Sequence, residues 1–210
     1  MLEELGISGG TAIIVLFALY FIVKWAVKNG VKEAYEEITG KEIKDDLDEI
    51  LEKEAAEKRG ETMIEFVKAG TSDALVINGI SKRSFESDVE VGAPNKGGPS
   101  GYMSIKFHTK MARSNHLYKL IVDGFIIGGA ILFIDGDRLT IGRIFISPEH
   151  HRKGYGVYMM QEIERMFSAA KEICLDTPVW NIRTNSFYQK LGYTEYKRDR
   201  EIVYYTKRMR

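Results

Sequence analysis

The sequence predicts a mixed α/β domain over residues 62–210, preceded by a charged helical linker over 29–61 and a membrane-spanning helix within 1–28. Three observations carry this. Thr11–Val23 is almost wholly apolar. Residues 28–61 are dense in charge and carry only narrow apolar stripes at helical spacing. From residue 63 onward, short β-rich runs alternate with helical periods, in the order strand, helix, helix, three strands, helix, strand, helix, two strands.

Composition sets the outer bounds. The chain has 210 residues, one ordinary domain plus an extension. Its formal net charge is zero, so no overall field recruits nucleic acid. The lone Cys174 excludes an internal disulfide framework, and its apolar surroundings make it a core residue. No Cys/His spacing fits a structural zinc site, and His150-His151 fits a loop better than a metal.

The amino-terminal stretch Leu5–Val23 has no charged residue, and continuing to Val27 admits only Lys24. A bilayer core needs about twenty mostly apolar helical residues. Lys24 can snorkel from the helix end, and Trp25 suits the interface. A cleaved signal fits less well, because Glu3 and Glu4 precede the run and no Ala-x-Ala site follows. A buried soluble helix would ordinarily show a polar face. Contact with the membrane is therefore expected through residues 7–27. Lys24, Lys28 and Lys32 flank the C-terminal side, so the positive-inside rule puts the following domain in the cytoplasm. Val31, Ala34, Tyr35 and Ile38, and then Ile43, Leu47, Ile50, Leu51 and Ala55, form the narrow stripes of a solvated helical spacer or a docking helix.

Residues 63–69, with Met63, Ile64, Phe66 and Val67, open the domain as a strand. Thr71 or Ser72 then caps a helix running to about Ser87. Asp88–Gly101 holds Gly92, Pro94, Gly97, Gly98 and Pro99, a long irregular loop of the kind that often carries function. A short helix at about 103–113 is followed by strands at 117–122 and 125–133, joined at the hairpin signal Asp123-Gly124. Asp135-Gly136 turns into a strand at 139–146. Lys171–Leu175, a helix over Trp180–Leu191 ended by Gly192, and strands at 193–196 and 202–206 complete the domain.

The most informative stretch is 139–169. An apolar strand stops at Ser147-Pro148. His150-His151-Arg152-Lys153-Gly154-Tyr155-Gly156 follows, and then a helix with Val157, Met160, Ile163 and Phe167 on one face. Unpaired amides of a first helical turn, together with the helix dipole, favour an anion such as phosphate. Gly154 and Gly156 permit close backbone approach and torsions closed to other residues, and Arg152 and Lys153 add positive charge. No Gly-Lys-Ser/Thr closes the turn, so it is not a Walker loop. A Gly-x-Gly turn also serves geometry alone.

This turn resembles motif A of the GNAT superfamily of N-acetyltransferases, Gln/Arg-x-x-Gly-x-Gly/Ala at a helix start, with His151 in the first position. The segment Asn181 to Tyr193 resembles the superfamily's motif B, Asn-x-x-Ala-x-x-Phe-Tyr-x-Lys-x-Gly-Phe. Asn181, Phe187, Tyr188, Lys190, Gly192 and Tyr193 align, and Thr184 stands for the alanine. The element order over about 63–207 agrees. The resemblance implies a GNAT acyl-CoA N-acyltransferase fold, a mixed central sheet flanked by helices. It implies acetyl-CoA as co-substrate, no metal, and an amine-bearing small molecule or protein amine as acceptor. It implies coenzyme contacts from Phe145, Ile146, His151, Arg152, Lys153, Gly154, Tyr155, Gly156, Val157 and Asn181. The strands at 141–146 and 171–176 would splay to admit the pantetheine arm, which pairs with exposed backbone as an added strand would. Backbone amides near Phe145 and Ile146 would hold the arm and the thioester oxygen.

Phe187 and Leu191, four apart, are expected on the core face of their helix. Tyr188, rotated by about 100°, would reach a cleft, and the resemblance places it beside the coenzyme sulfur as general acid. The amine must lose a proton before or during attack. Glu86, Asp88, Glu90 and Asp176 are all open as the base. Arg143 would fix an anionic substrate or pair with a carboxylate. A cytoplasmic active domain agrees with where acetyl-CoA is found. The competing expectation is a non-catalytic acyl-CoA-binding module that regulates a membrane partner. A further one assigns the function to residues 1–61.

Overall fold

A computed structural model describes Leu19, Val23 and residues 62–209. The chain divides into two units, Met1–Glu61 and Thr62–Arg210. The expected membrane span and linker lie outside the described residues, except that Leu19 and Val23 are helical and exposed. Among the described residues no helix is long and apolar enough to cross a membrane.

The second unit runs β1 (Ile64–Lys68), α1 (Ala74–Glu86), α2 (Ile105–Arg113), β2 (Leu117–Val122), β3 (Phe125–Asp135), β4 (Arg138–Ile146), α3 (Tyr155–Met166), β5 (Glu172–Pro178), α4 (Ile182–Lys190), β6 (Thr194–Arg198) and β7 (Ile202–Arg208). Short 3₁₀ turns precede α1 and α3 and follow α1. One seven-stranded sheet has the order β1-β2-β3-β4-β5-β7-β6. Every pairing is antiparallel except β4 with β5.

Local chemistry explains most boundaries. Thr71 and Ser72 lie in a 3₁₀ turn before α1, and Asp73 at the N-cap position closes that turn: its Oδ2 accepts the Gly70 N–H at 2.8 Å and the Lys119 ammonium at 2.9 Å. Ser104 Oγ caps α2 by accepting from Phe107 N, and Asn181 Oδ1 caps α4 by accepting from Thr184 N. Asp123 and Gly124 both take positive φ, 49° and 80°, as a two-residue hairpin requires. The next hairpin turns at Gly136-Asp137, because Asp135 and Arg138 still pair.

The sheet has a core on each face. Ile77 and Ile80 of α1, with Met111 and Ala112 of α2, cover one. Met159, Met160 and Ile163 of α3, with Tyr188 of α4, cover the other. Val157, expected on the buried face of α3, is exposed, since 159, 160 and 163 form the inward stripe. Cys174 is buried, with the Arg138 guanidinium donating to its sulfur at 3.0 Å.

One irregularity positions the site. Ile131 pairs with Arg143 but Leu132 pairs with Ile141, so Gly142 is an extra residue in β4. This β-bulge switches side-chain alternation. Leu139 and Ile141 lie in the core under α3, and after the bulge Ile144 and Ile146 take over that face. Phe145 turns to the opposite core. A Cβ at position 142 would meet the Phe133 ring at 2.8 Å, so glycine suits the close approach.

Candidate active site

The bulge opens the sheet. β4 and β5 pair only from Arg138↔Glu172 to Ile141↔Leu175, and beyond Gly142 the two strands part. Ser147 N donates to Ile127 O at 2.7 Å, which fixes the phase of the β3–β4 ladder. By that phase the amides of Arg143 and Phe145 face β3, and those of Ile144 and Ile146 face the gap. Of the amides near Phe145 and Ile146, that of Phe145 is therefore spent on Gly129, and those of Ile144 and Ile146 are the ones that face the gap. On the far side, Val179 N donates to Glu201 O, so Pro178, which has no N–H, sits where none is needed toward β4. This is why β5 continues through Asp176 and Thr177 to Pro178 rather than ending at Leu175.

The turn below the gap is an anion cradle. Arg152 (φ 62°) and Gly154 (φ 86°) are left-handed, and Gly154 is the N-cap of α3. Among the described residues, no acceptor takes the N–H groups of Arg152 through Val157, and the helical ladder begins with Tyr158 N to Gly154 O. A run of bare amides at a helix start attracts negative charge. Gly156 acts differently from expectation. It is helical rather than left-handed, and a Cβ there would lie in ordinary van der Waals contact with the Phe187 ring, 3.4 Å away.

His151 locks this turn to the strand above. Its Nε2 lies 2.9 Å from Ile146 O, and its Nδ1 lies 3.4 Å from Arg183 Nη1. A carbonyl only accepts and a guanidinium only donates, so the proton sits on Nε2. Arg183 in turn pairs with Asp88 at 2.6 Å. This chain joins the segment after α1, helix α4, the turn and β4.

Two cavities meet in the gap. The first, about 600 Å³, is walled by Ile144, Phe145, Ile146, His151, Arg152, Gly154, Tyr155, Gly156 and Val157. The second, about 480 Å³, lies under the loop 93–99 and is walled by Asp88, Arg143, Asp176, Trp180 and Asn181. Ser84, Ile144, Arg183, Thr184 and Tyr188 line both. Tyr188 thus stands at the junction, but not as the sequence suggested. It is the buried residue of α4, whereas Phe187 and Leu191 are only partly buried. The parting of β4 and β5 brings the cleft to the core face of α4, which a helical wheel does not show.

Burial dominates the electrostatics here. It pushes the Tyr188 phenol well above its ordinary range, and the nearby Asp176 and Asp88 carboxylates add to the rise. Among the described residues nothing hydrogen-bonds its hydroxyl. Burial raises Asp88, with Arg183 pulling the other way. Asp176 is solvent-exposed on β5 and has no ion pair among the described residues; partial desolvation by its surroundings raises it, and a hydrogen bond from its own amide pulls the other way. Burial lowers Arg143, which lies 4.3 Å over the Phe107 ring and donates to Ser100 O.

Of the expected contacts, Lys153 lines neither cavity, and Asn181 borders the second with its side chain committed to capping α4. Of the proposed bases, Glu86 lines neither cavity, Glu90 borders the first, Asp88 is held by Arg183, and Asp176 stands free in the second. The sequence reading missed the Gly142 bulge and the Arg183 bridge. A glycine inside an apolar strand was the available signal for the bulge. Nothing local marks Arg183.

A mixed seven-stranded sheet split between β4 and β5, with a bare-amide turn opening a helix below the split, is the GNAT acetyltransferase fold. The comparisons agree: residues 113–195 match the acetyltransferase (GNAT) domain family. Residues 1–61 separately match a family of unknown function, DUF6019. No curated protein matches the sequence. Among solved structures, the PaiA N-acetyltransferase from Thermoplasma acidophilum in complex with coenzyme A is similar with a TM-score of 0.60 at 19% identity, covering 70% of this chain and 99% of that one. The ribosomal-protein-S18-alanine N-acetyltransferase from Escherichia coli gives 0.53 at 16%, covering 70% and 94%. An acetyltransferase from Thermus thermophilus gives 0.57 at 11%, covering 70% and 97%. At these identities the likeness is one of fold.

Proposed function

We propose that the protein is an N-acetyltransferase that moves the acetyl group of acetyl-CoA to an amine by direct attack in a ternary complex. The observation that carries this is the meeting of two cavities at Tyr188, one of them floored by amides without acceptors. The solved coenzyme A complex of a similarly folded acetyltransferase supports the choice of co-substrate.

In this reading the amides of Arg152–Val157 hold the pyrophosphate, with Arg152 adding charge. The Ile144 and Ile146 amides face the parted strand edge and take the pantetheine arm and the thioester oxygen. The acceptor amine enters from the second cavity, where Asp176 receives its proton directly or through water. Tyr188, kept protonated by burial, donates to the departing sulfur. No covalent enzyme intermediate is needed.

Release of thiol from acetyl-CoA, followed over a panel of amines, tests the reading. Turnover with any amine supports it. Tight binding of acetyl-CoA with no turnover on any amine refutes it and leaves a regulatory acyl-CoA-binding module.

The apolar run within residues 7–27 is proposed to anchor the chain in the membrane with the catalytic domain cytoplasmic. Leu19 and Val23, each apolar, helical and exposed, support a lipid-facing segment. Cell fractionation checks this: the full chain should sediment with membranes, and a 62–210 fragment should be soluble and active. A full chain found entirely in the soluble fraction would contradict the anchor.

A further inference from the structure

Two opposite charges border the acceptor cavity, and neither has an ion-pair partner among the described residues. Arg143 leaves β4 immediately after the bulge. Its Nη2 donates to Ser100 O, its Nη1 is enclosed without an acceptor, and no carboxylate pairs with it among the described residues. A guanidinium cannot shed its charge, so partial burial without an anion is unfavourable. Asp176 also lacks an ion pair among the described residues, although it is solvent-exposed and accepts from its own amide. The two do not form an ion pair with each other, although both border one cavity. The last paired level of the split is Ile141↔Leu175, so Asp176 lies one residue beyond it on β5 and Arg143 two beyond on β4. Both side chains lie off the face that Leu175 packs. Apolar surface from Phe85, Pro94, Trp180 and Ile202 fills much of the rest.

We propose that the acceptor is a short amino carboxylate, an α-amino acid or close analogue, bound with its amine at Asp176 and its carboxylate at Arg143. This narrows the N-acetyltransferase reading and rests on it. A cavity of about 480 Å³ holds a molecule of that size. One free guanidinium matches one carboxylate. A phosphate dianion would want a second cation, and the other arginine in the wall, Arg183, is engaged by Asp88. A diamine would set a cation against Arg143. A peptide amino terminus replaces the carboxylate by an amide.

The test uses the full chain with acetyl-CoA and matched acceptors: α-amino acids, their amides, and the corresponding decarboxylated amines. The amide's amine is less basic, so intrinsic reactivity favours the amide. The expected result is that at least one amino acid exceeds its amide and its decarboxylated amine in kcat/KM by about 10- to 100-fold, the effect of one charge-assisted hydrogen bond. In Arg143→Gln this ratio should fall toward one, mainly through KM, with acetyl-CoA affinity unchanged. Arg143→Lys should keep part of the preference. The ratio is taken within one protein, so a loss of folded fraction does not affect it. Turnover in which amides or simple amines match or exceed the amino acids overturns this proposal alone, as does a ratio that Arg143→Gln does not move. Acetyl-CoA binding with no turnover on any acceptor overturns the enzyme reading and this one with it.

Discussion

Replacing Tyr188 with Phe removes one oxygen from the junction of the two cavities. The ring would keep its neighbours, Phe187, Tyr193 and Tyr205, with centroids 5.4, 6.1 and 6.0 Å away. No described residue hydrogen-bonds the hydroxyl, so its loss strands no partner, and stability should change by less than about 1 kcal/mol. Turnover should change far more. A hydrogen bond to a developing thiolate contributes about 1.5–3 kcal/mol, which corresponds to about 10- to 100-fold in kcat. General acid catalysis can reach about 10⁴-fold. The raised phenol argues for the lower range, because moving its proton to a thiolate, whose ordinary pKa is near 8.5, is uphill. Three measurements decide the matter: kcat by thiol release, acetyl-CoA affinity by calorimetry, and the melting temperature. The expected outcome is the stated loss in kcat, with affinity held within about threefold and Tm within about 4 °C. An equal loss of affinity and turnover, or a large drop in Tm, would show that the hydroxyl supports the core and not the reaction.

Gly154→Ala should cost about 1–2 kcal/mol in denaturant unfolding, because φ is 86° while a Cβ there meets nothing within 4 Å, so the penalty is torsional. If the turn holds pyrophosphate, acetyl-CoA affinity should also fall, by about tenfold; unchanged affinity would detach the cradle from the coenzyme. Asp176→Asn should lower kcat/KM by about 10²-fold if the carboxylate is the base, and it should abolish an acid limb lying above the ordinary value of 3.8. The stability effect has the opposite sign. Because partial desolvation raises the folded pKa of this solvent-exposed carboxyl, ionised Asp176 disfavours folding only slightly; that penalty is absent below the unfolded pKa and complete above the folded one. The asparagine variant should therefore be slightly more stable than the parent at neutral pH, with the difference vanishing at low pH in pH-dependent melting curves.

Much of the domain was legible because it is local. The Asp123-Gly124 hairpin, the turn from β4 into α3, the capped α4 and the burial of Cys174 each follow from neighbouring residues. The misplaced details are those that depend on partners distant in sequence. Thr71 and Ser72 looked like the cap of α1, but Asp73 occupies the N-cap position and turns its carboxylate back to Gly70 N and across to Lys119 of β2. Asn181, expected as a coenzyme contact through its motif, borders the second cavity and also caps its own helix. The Phe145 amide looked available until the ladder phase assigned it to β3.

The sequence by itself determined the order of elements and the bare-amide turn, since torsional preference and apolar period act over a few residues. Only the tertiary structure decided where Tyr188 faces, that Arg183 is spent on Asp88, and that Arg143 and Asp176 stand unpaired in one cavity. The placement of Arg143 relative to the gap follows from a single extra residue in β4, which reverses side-chain direction where two strands part. Its consequence depends on the register of β3 and β5 against it, which no local run of residues specifies.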